Sequence, residues 1–483
     1  MRTKFYRKIQ NFNKAFLIII SLFYCIFLKA QLSFVDNGQE LNNLAGRGVA
    51  LADLNNDGTL DAFVVNENGP DGTGYRVYFG DGSGRFTDEI ELNNPVSWSG
   101  KPVICDINSD GIEEIITGTT IWFNDRDGNL TPHSDYFSGL DGVTISQAQA
   151  ADLNDDGSPD IFATVYDADF NTGSRVLFND GDGYFTDSGQ RIGQGSEASS
   201  AVILEDFNDD GYLDAVVTGW RQSGTDPCPN RVWINDGLGY FQVLDTLDEG
   251  QRHSHSVATG DFNRDGYPDI IIGTQGNYNP AGPPYGRIYL NNGQGRFTPS
   301  QTVGTKLLEK VETNDLDGDG DIDLFLTCDG GNEVWLNNGD GSFENSGLSL
   351  GSEWTWSAAI GDLNGDAKPD IFGVNFAWIN DNPRGRYAEI WLNTSVTSLS
   401  TAFMADGIKI SPNPVTDQVK VSRDINTLKN VTLELFDIQG NRVISERIPN
   451  TTSTIDLTAY PEGLYFVNIS SDRESKLLKL IKK

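Results

Sequence analysis

The sequence is poor in cysteine, histidine, methionine and basic residues. Its 483 residues include four Cys, three His and two Met, and 69 Asp and Glu outnumber 35 Lys and Arg. A formal net charge of −34 argues against a nucleic-acid partner, because phosphate binding needs a basic surface. The charge favours metal cations and neutral or basic ligands instead. No spacing of Cys and His is typical of a zinc site.

Long hydrophobic runs are also missing, except at the N-terminus. Five basic residues among the first 14 precede the apolar run AFLIIISLFYCIF at 15–27, and LKA ends at Ala30. This pattern predicts a secretory signal peptide over 1–30, with an uncleaved anchor as the alternative. We therefore expect no transmembrane span in the mature protein. An odd number of cysteines then remains (Cys105, Cys228 and Cys328), which predicts no disulfide framework.

A nine-residue acidic pattern, first seen as DLNNDGTLD at 53–61, occurs seven times along the chain. Six copies follow at 106, 152, 206, 261, 315 and 362, so the spacing is 46 to 55 residues. Apolar, β-branched segments flank each copy, and Gly-rich turns such as NDGDGYF follow. A period of about 50 residues indicates a repeat architecture. We predict an all-β fold over 31–395, a seven-bladed β-propeller with four strands in each blade, in preference to a linear solenoid.

The two ends of this region predict how the ring closes. The seventh unit ends at EIWLNTS (389–395) and has no fourth strand, whereas LSFVDNG at 32–38 is similar to the fourth-strand segment GRFTDEI at 84–90. We expect the N-terminal strand around Phe34 to complete the last blade. Closure of this kind leaves no exposed sheet edge.

The acidic pattern has the composition of a calcium loop. Side-chain oxygens at positions one, three, five and nine, with the backbone carbonyl of position seven, supply the oxygen ligands that Ca²⁺ prefers, and the glycine at position six permits a left-handed turn. A series of Asx turns without metal and a magnesium site are the alternatives. We predict up to seven structural Ca²⁺ ions, held by these residues: Asp53, Asn55, Asp57, Thr59, Asp61, Asp106, Asn108, Asp110, Ile112, Glu114, Asp152, Asn154, Asp156, Ser158, Asp160, Asp206, Asn208, Asp210, Tyr212, Asp214, Asp261, Asn263, Asp265, Tyr267, Asp269, Asp315, Asp317, Asp319, Asp321, Asp323, Asp362, Asn364, Asp366, Lys368 and Asp370.

The seven copies differ in ways that predict different affinities. Loop six has four carboxylates at the four side-chain positions and should bind most tightly. Loop two ends in Glu114, whose longer side chain shifts the geometry. Loop seven has Ala367 where the others have glycine, and a left-handed non-glycine residue costs about 1–2 kcal/mol, so we expect it to be weakest.

These repeats resemble the FG-GAP and VCBS-type repeats of calcium-loaded propellers, as in integrin α-subunit heads. The resemblance covers about residues 32–395 and rests on the acidic loops and the NDGxGxF hairpins. It implies structural calcium on one face and ligand binding on the other.

The opposite face should carry the long, irregular loops. Exposed aromatic and basic residues there suit sugar stacking or a protein ligand, although each aromatic could instead cap the core between blades. The candidate ligand-binding residues are Trp98, Trp220, Arg221, His255, Tyr278, Tyr285, Trp354, Trp356 and Trp378. The residues expected at the mouth of the central channel are Arg47, Gly100, Ser146, Ser200, His255, Glu309 and Trp356. A catalytic alternative would use His253 or His255 as base and Arg252 or Arg221 to neutralise the carboxylate of a uronate.

The C-terminal region has a different character from the repeats. After a polar linker at 396–407, residues 408–483 alternate as strands and turns, which predicts a small antiparallel sandwich. The segments SPNPV, LFDIQGNRV, PEGLYFV and KLLKLIKK resemble the type A C-terminal sorting domain of type IX secretion cargo in Bacteroidetes. The resemblance implies contact with the type IX secretion machinery and passage across the outer membrane. An adhesive Ig-like module is the alternative.

Together these features predict a secreted or cell-surface propeller that binds an extracellular glycan or protein and serves in adhesion or recognition. A lyase-type enzyme acting on polysaccharides is the second hypothesis, and a purely structural surface protein is the third.

Overall fold

The computed structural model describes most of the chain outside its N-terminal 31 residues. The described ranges are 32–41, 46–66, 74–92, 100–140, 142–166, 173–193, 198–220, 229–248, 254–274, 286–376, 388–395, 402–403, 408–411, 418–423, 432–436, 442–447, 452–461, 463–470 and 475–482. They fall into two compact units. One spans Phe34–Asn393, and the other contains the described residues before and after it. Within the described residues, no helix has the length and apolar character needed to cross a membrane.

The larger unit consists of strands arranged in successive antiparallel sheets. A short first strand, β1 (Phe34–Asp36), precedes them. Sheets one to three contain β2 (Gly46–Ala52), β3 (Asp61–Asn66), β4 (Tyr75–Gly80) and β5 (Phe86–Leu92); β6 (Val103–Cys105), β7 (Glu114–Thr117), β8 (Thr120–Asn124) and β9 (Leu130–His133); and β10 (Phe137–Ser138), β11 (Thr144–Ala151), β12 (Asp160–Tyr166), β13 (Arg175–Asn179) and β14 (Phe185–Asp187). In sheet three, β10 is a fifth strand that runs parallel to β14.

Sheets four to seven repeat the same order. They contain β15 (Ala198–Glu205), β16 (Asp214–Trp220), β17 (Asn230–Asn235) and β18 (Phe241–Asp248); β19 (Ser254–Gly260), β20 (Asp269–Thr274), β21 (Gly286–Asn291) and β22 (Phe297–Val303); β23 (Leu308–Asn314), β24 (Asp323–Cys328), β25 (Asn332–Asn337) and β26 (Phe343–Leu350); and β27 (Thr355–Gly361), β28 (Asp370–Asn375) and β29 (Ala388–Asn393).

The sheets form a closed ring. The first strand of each sheet lies beside the first strand of the next, and β27 of sheet seven lies beside β2 of sheet one. This is the arrangement of a β-propeller, so the predicted all-β propeller class is confirmed. β1 joins sheet seven as its outermost strand and pairs antiparallel with β29, where Phe34 faces Asn393 and Asp36 faces Trp391.

The hydrophobic core lies between neighbouring sheets. The second strands β3, β20, β24 and β28 are buried along their whole length, which explains why they read as continuous apolar runs. Phe86 of sheet one packs edge-to-face on Phe372 of sheet seven, with ring centroids 5.1 Å apart. Cys328 is buried in this type of core, as expected for a small apolar residue.

The described residues of the C-terminal region form two further sheets. They consist of β30 (Ala402–Phe403), β31 (Ile408–Ser411), β32 (Gln418–Arg423) and β35 (Thr452–Asp456), and of β33 (Thr432–Phe436), β34 (Arg442–Arg447), β36 (Gly463–Ser470) and β37 (Ser475–Lys482). All the pairings are antiparallel. Leu433, Leu435, Tyr465 and Val467 alternate toward one buried side. The packing of the two sheets as a sandwich, and the domain bounds proposed above, stay predictions.

Candidate metal loops and ligand face

Each acidic loop joins the first and second strands of its sheet. Position one follows the first strand, and position nine is the first residue of the second strand. All 35 candidate metal ligands lie in the described residues, and the seven loops therefore share one end of the sheets with the Gly-rich hairpins that join the third and fourth strands.

Hydrogen bonds inside the loop fold its alternate side chains inward. In loop one, the Asp53 carboxylate accepts the backbone N–H groups of Asp57 and Gly58, at 3.0 and 2.8 Å. The Asn55 side-chain oxygen accepts the N–H of Asp57 at 3.0 Å, and Asp57 accepts that of Thr59 at 2.9 Å. These are Asx turns, and a calcium loop and a metal-free loop would both contain them. The hydrogen bonds therefore do not separate the two interpretations.

Two positions of the loop have left-handed backbone, although sequence reasoning identified only one. Glycine occupies position six with φ between 80° and 91° in loops one to six, and Ala367 has φ 62° in loop seven. Position four is left-handed in every loop as well. It is Asn56, Ser109, Asp155, Asp209 and Arg264 in the first five loops and glycine in the last two. The missed signal was the Asn and Asp at position four, which are tolerant of this conformation.

The ninth-position carboxylate is buried in every loop and braces the sheet. The two oxygens of Asp61 accept the N–H groups of Leu54 and Gly80, each at 2.9 Å. Desolvation raises the pKa of this group to about 6 in Asp61, Asp160, Asp269 and Asp370, to about 7 in Glu114 and Asp214, and to about 8 in Asp323. A bound cation would stabilise the charged form of such a carboxylate.

Loop six brings the carboxylates closest together. Oxygens of Asp315, Asp317 and Asp323 all lie within 4.8 Å of one another, and Asp317 and Asp323 are buried. Burial, and then the charge of Asp319, raises the pKa of Asp317 to about 6. The side chain of Asp321, at position seven, forms an ion pair with Arg264 of loop five, at 2.5 Å. The side chain of Asp321 is engaged by this ion pair, so its backbone carbonyl is the group that it can offer to a metal.

Loop two shows how a glutamate fits at position nine. Glu114 Oε2 accepts the N–H of Ile107 at 3.1 Å. Its Oε1 is buried and accepts no hydrogen bond within the part of the chain that the structure describes. A buried carboxylate oxygen without a donor is a fitting ligand for a hard cation, so the donor chemistry of the loops suits calcium.

Sequence reasoning overlooked an asparagine that ties each loop to the next sheet. The third strand ends in asparagine in six of the seven units, and we call these residues the hub asparagines: Asn124, Asn179, Asn235, Asn291, Asn337 and Asn393. In each, the side-chain amide donates to the position-two carbonyl of the preceding sheet's acidic loop, at 2.8 or 2.9 Å. The repeated Asn in VLFND, VWIND and IYLNN was the available signal.

Asn337 shows the complete set of bonds. Its amide donates to Phe262 O at 2.9 Å and to Ile322 O at 3.1 Å, and its side-chain oxygen accepts Gly339 N–H at 3.0 Å. Its own N–H donates to Asp323 at 2.8 Å. Unit one has Gly80 instead, where an added Cβ would lie 2.3 Å from the Leu60 carbonyl oxygen.

At the opposite end of the sheets, the predicted channel-mouth residues coincide with β-bulges. The register of the first and second strands skips one residue in six sheets, and the skipped residues are Arg47, Ser146, Ser200, His255, Glu309 and Trp356. Gly100, in sheet two, precedes β6 and donates its N–H to Ser146 O at 2.9 Å. Bulges redirect side chains and often lie beside functional sites.

Three of these residues, Arg47, Glu309 and Trp356, contact the neighbouring aromatic residues Trp354 and Phe376. We call these five residues the mouth cluster. The ring centroids of the three aromatics lie 5.1–5.7 Å apart, and the Arg47 guanidinium lies 4.8 Å from the Trp356 ring and 5.0 Å from that of Phe376. Trp354 Nε1 donates to Glu309 at 3.1 Å. Both tryptophans are half-buried, so they pack on the sheet and also reach solvent.

Most of the other candidate ligand-binding and catalytic residues lie outside the described ranges. They are Trp98, Arg221, Arg252, His253, Tyr278, Tyr285 and Trp378, and the side chain of Trp220 also lies outside what the structure describes. His255 is described. It is half-buried in β19, and its carbonyl accepts the Lys310 ammonium at 2.8 Å.

Comparison with known proteins identifies both regions of the chain. The model of the FG-GAP-like repeat matches residues 53–117, 152–217, 206–272 and 315–373, together just over half of the chain. The model of the secretion system C-terminal sorting domain matches residues 409–483.

Among curated proteins, a T-cell immunomodulatory protein homolog of Plasmodium falciparum is 24% identical over 332 residues, covering 50% of this chain and 45% of that protein. Integrin alpha-PS5 of Drosophila melanogaster is 30% identical over 156 residues, covering 28% and 15%. The chain thus spans less than half the length of either relative.

Among solved structures, PorZ, a surface component of the type IX secretion system of Porphyromonas gingivalis, is 13% identical, with a TM-score of 0.44 and coverage of 92% of this chain and 59% of that one. The matched repeats and the matched C-terminal domain carry the assignment. The chain belongs to the FG-GAP-like repeat family, as a propeller whose C-terminal sorting domain directs its export by type IX secretion to the cell surface or beyond.

Proposed function

We propose that this protein is a calcium-stabilised surface propeller that binds an extracellular ligand with the face opposite its acidic loops. The observation that carries the calcium part is loop six, where oxygens of three carboxylates lie within 4.8 Å of one another. Like charges at this distance repel strongly in a partly buried site, and a divalent cation removes that repulsion. Repeats of this family often bind calcium, which supports the same proposal.

Calcium fits these loops better than magnesium does. The loop offers side-chain oxygens from four positions and a backbone carbonyl, with water for the remainder, and Ca²⁺ accepts six to eight such ligands in flexible geometry. The ions would hold one corner of each sheet in place, because position nine also braces the third strand. Their role is structural.

Calorimetric unfolding with excess calcium and with a chelator tests this part. We expect the chelator to lower the unfolding midpoint, and Asp317→Asn to reduce the calcium-dependent part of the shift. Asp329→Asn changes an exposed carboxylate outside the loops and is the matched control. An unchanged midpoint after chelation would refute the calcium assignment.

The mouth cluster supports the ligand-binding part. Its tryptophan rings offer flat apolar surfaces, while Arg47 and Glu309 provide charge beside them. Aromatic surfaces with a few polar groups are typical of glycan and protein ligand sites. The bulges that direct this cluster recur around the ring, so the same end of the sheets is where we place recognition. We take a glycan as the first ligand class, and a protein as the second.

A glycan array with the exported protein, together with an assay for unsaturated uronate products, tests the binding part. We expect binding without turnover, weakened about tenfold or more by Trp356→Ala and Trp354→Ala. Trp335→Ala, in the third strand of sheet six, is the control for loss of a tryptophan away from this face. Turnover that His255→Ala abolishes would instead favour the lyase hypothesis, and binding unaffected by the tryptophan variants would refute the proposed site.

A further inference from the structure

Exposed apolar side chains are concentrated in two neighbouring sheets, three and four, at the end that carries the acidic loops. Six large hydrophobic side chains are exposed among the described residues, and five of them belong to sheets three and four. We call these five the tyrosine patch: Tyr184 (46% exposed), Tyr212 (40%), Leu238 (63%), Tyr240 (45%) and Val243 (53%). Tyr212 is in acidic loop four, and the others are in or directly after the hairpins of sheets three and four.

The repeats show that the hairpin folds without an apolar side chain at two of the positions in this patch. The hairpin position of Tyr184 and Tyr240 holds Arg85, Asn129, Arg296 and Ser342 in other units, and the position of Leu238 holds Ser83, Asp127, Asp182, Gln294 and Asp340. The glycines on either side keep positive φ in the apolar hairpins and in the polar ones. Sheet three therefore has Tyr184, and sheet four has Leu238 and Tyr240, at positions where the other units fold with polar side chains. Tyr212 is different, because it packs on Gly237 as Tyr267 packs on Gly293 in sheet five.

Aromatic contacts hold the tyrosine rings in position. Tyr184 stacks on Tyr136 with a centroid distance of 4.1 Å and an interplanar angle of 12°, so one face of its ring is covered and the other faces outward. Tyr240 packs against Phe178 of the neighbouring sheet, at 6.0 Å. Rings fixed in this way lose little conformational entropy when a ligand stacks on them.

The charge around the patch selects the kind of ligand. The two hairpins, NDGDGYF and NDGLGYF, contain no Lys or Arg, and Asp180, Asp182 and Asp236 are exposed in them. Arg296 of sheet five bonds to Leu244 and Asp245 beside Val243, and its charge is paired with Asp245 there. The hairpin carboxylates leave the surface at Tyr184 and Tyr240 acidic, so an acidic polysaccharide would be repelled there. Sugar rings present apolar C–H faces that stack on tyrosine, and their hydroxyl groups donate hydrogen bonds to carboxylates.

We propose that the tyrosine patch is a binding surface for a neutral polysaccharide. It lies at the other end of the sheets from the mouth cluster and does not depend on ligand binding there. Large exposed apolar side chains concentrated in two neighbouring sheets favour an interaction site, and the acidic surroundings with a stacked tyrosine favour a neutral glycan over a protein with an apolar face.

Affinity electrophoresis of the exported protein tests the proposal, with gels that contain laminarin, xyloglucan, galactomannan or dextran, and polygalacturonate as the acidic probe. The variant Tyr184→Ser/Tyr240→Ser copies Ser342 of sheet six, so the hairpins should still form. Arg85→Ser makes the same kind of change in the hairpin of sheet one and is the matched control, whereas Arg296 is left in place because it bonds to Leu244 and Asp245, next to Val243. Trp356→Ala separates this surface from the mouth cluster.

We expect at least one neutral polysaccharide to retard the protein, and the tyrosine variant to weaken that apparent affinity about tenfold or more. The arginine and Trp356→Ala variants should bind it normally, and polygalacturonate should cause no retardation. The proposal is overturned if no neutral polysaccharide binds, if the tyrosine variant binds as well as the parent protein, or if Trp356→Ala alone abolishes the retardation. Unaltered calorimetric unfolding of the tyrosine variant confirms that it folds.

Discussion

Ala367 is the one residue at position six of an acidic loop that is not glycine, and its φ of 62° places it in the left-handed region. Its N–H donates to Asp362 at 2.7 Å, so the loop keeps the hydrogen bond that the other six loops make from glycine. The strain is therefore retained in the backbone and not relieved by a different turn. Loop seven does have glycine at position four, where five other loops hold a strained non-glycine residue.

We expect Ala367→Gly to stabilise the protein. Relief of the left-handed conformation gains about 1–2 kcal/mol, and the greater freedom of glycine in the unfolded chain costs about 0.5–1 kcal/mol, which leaves a net gain of about 0–1.5 kcal/mol. Gly266→Ala in loop five is the reciprocal variant, because nothing lies within 4 Å of its added Cβ and only the backbone would be strained. Denaturant unfolding in calcium buffer should show opposite signs for the two. A loss of stability in Ala367→Gly would contradict the argument.

Lys310 gives the stability a component that depends on pH. Desolvation of its ammonium lowers the pKa to about 8, against the opposing charges of Glu309 and Glu312. The folded state therefore binds this proton less tightly than the unfolded chain, whose lysine has a pKa near 10.4. As the pH rises from about 8 to about 10.4, the unfolded state holds more protons, and the contribution of Lys310 to the free energy of unfolding increases.

The measurement is denaturant unfolding of the parent protein and of Lys310→Met at pH 7 and pH 9.5. The free energy of unfolding of the parent protein, relative to that of Lys310→Met, should be greater at pH 9.5 than at pH 7. Lys306→Met is the control. Lys306 lies at the end of the same sheet, but its ammonium donates to the backbone carbonyls of Gly330 and Gly331 near the surface. An identical difference at both pH values would show that Lys310 is not desolvated.

At the scale of elements, the hub asparagines connect neighbouring sheets, which the sequence analysis treated as independent repeats. Five of them (Asn179, Asn235, Asn291, Asn337 and Asn393) join the third strand of their sheet, their own acidic loop and the loop of the preceding sheet through buried side chains, and the half-buried Asn124 bonds to the loop of the preceding sheet. Buried polar groups are stable only when they are hydrogen-bonded, and here the amide and its oxygen are both bonded. The acidic loops of neighbouring sheets are therefore joined by hydrogen bonds through these asparagines.

Asn337→Ala should cost about 1–3 kcal/mol, because it takes the donor from the Ile322 carbonyl and the acceptor from the Gly339 N–H, and leaves the Phe262 carbonyl with the Gly341 N–H alone. Its neighbour Asn338 is exposed and bonded only to Ser342, so Asn338→Ala should change stability by no more than about 0.5 kcal/mol. Urea unfolding compares the two. Equal effects would mean that the hub bonds contribute nothing beyond the loss of an amide.

Whether the sequence could predict an interaction depends on how far apart its partners lie along the chain. The acidic loops and the positive φ of residue 367 are set within nine residues, so the local pattern was sufficient to predict them. The hub bond joins Asn337 to Phe262, and its partner is distant along the chain. Only the repetition of Asn in six units indicated it. The tyrosine patch was missed because Tyr184 and Tyr240 are ordinary strand-forming residues, and their exposure is visible only in the folded hairpin.

At the scale of the whole molecule, the N-terminal segment fastens the ring at two points. β1 pairs with β29 of sheet seven, and Asn37 donates its N–H to Ile390 O at 3.0 Å. The same asparagine donates its side-chain amide to Gly84 O of sheet one, at 2.7 Å. Gln39 accepts Phe86 N–H at 3.0 Å. One segment of six residues thus bonds to both the last sheet and the first.

Deletion of residues 32–40 should therefore open the ring at this junction. Loss of these three hydrogen bonds, at about 1 kcal/mol each, and of the β1 pairing should destabilise the protein by at least about 3 kcal/mol, and the exposed edge of β29 should promote self-association. Calorimetry and size-exclusion chromatography measure the two effects. Val35→Ser removes a side chain that is 52% exposed but keeps the backbone pairing, so it should behave like the parent protein. A synthetic peptide of residues 32–40 should restore the midpoint of the truncated protein. An unchanged midpoint after the deletion would mean that contacts between the first strands of sheets one and seven are sufficient to close the ring.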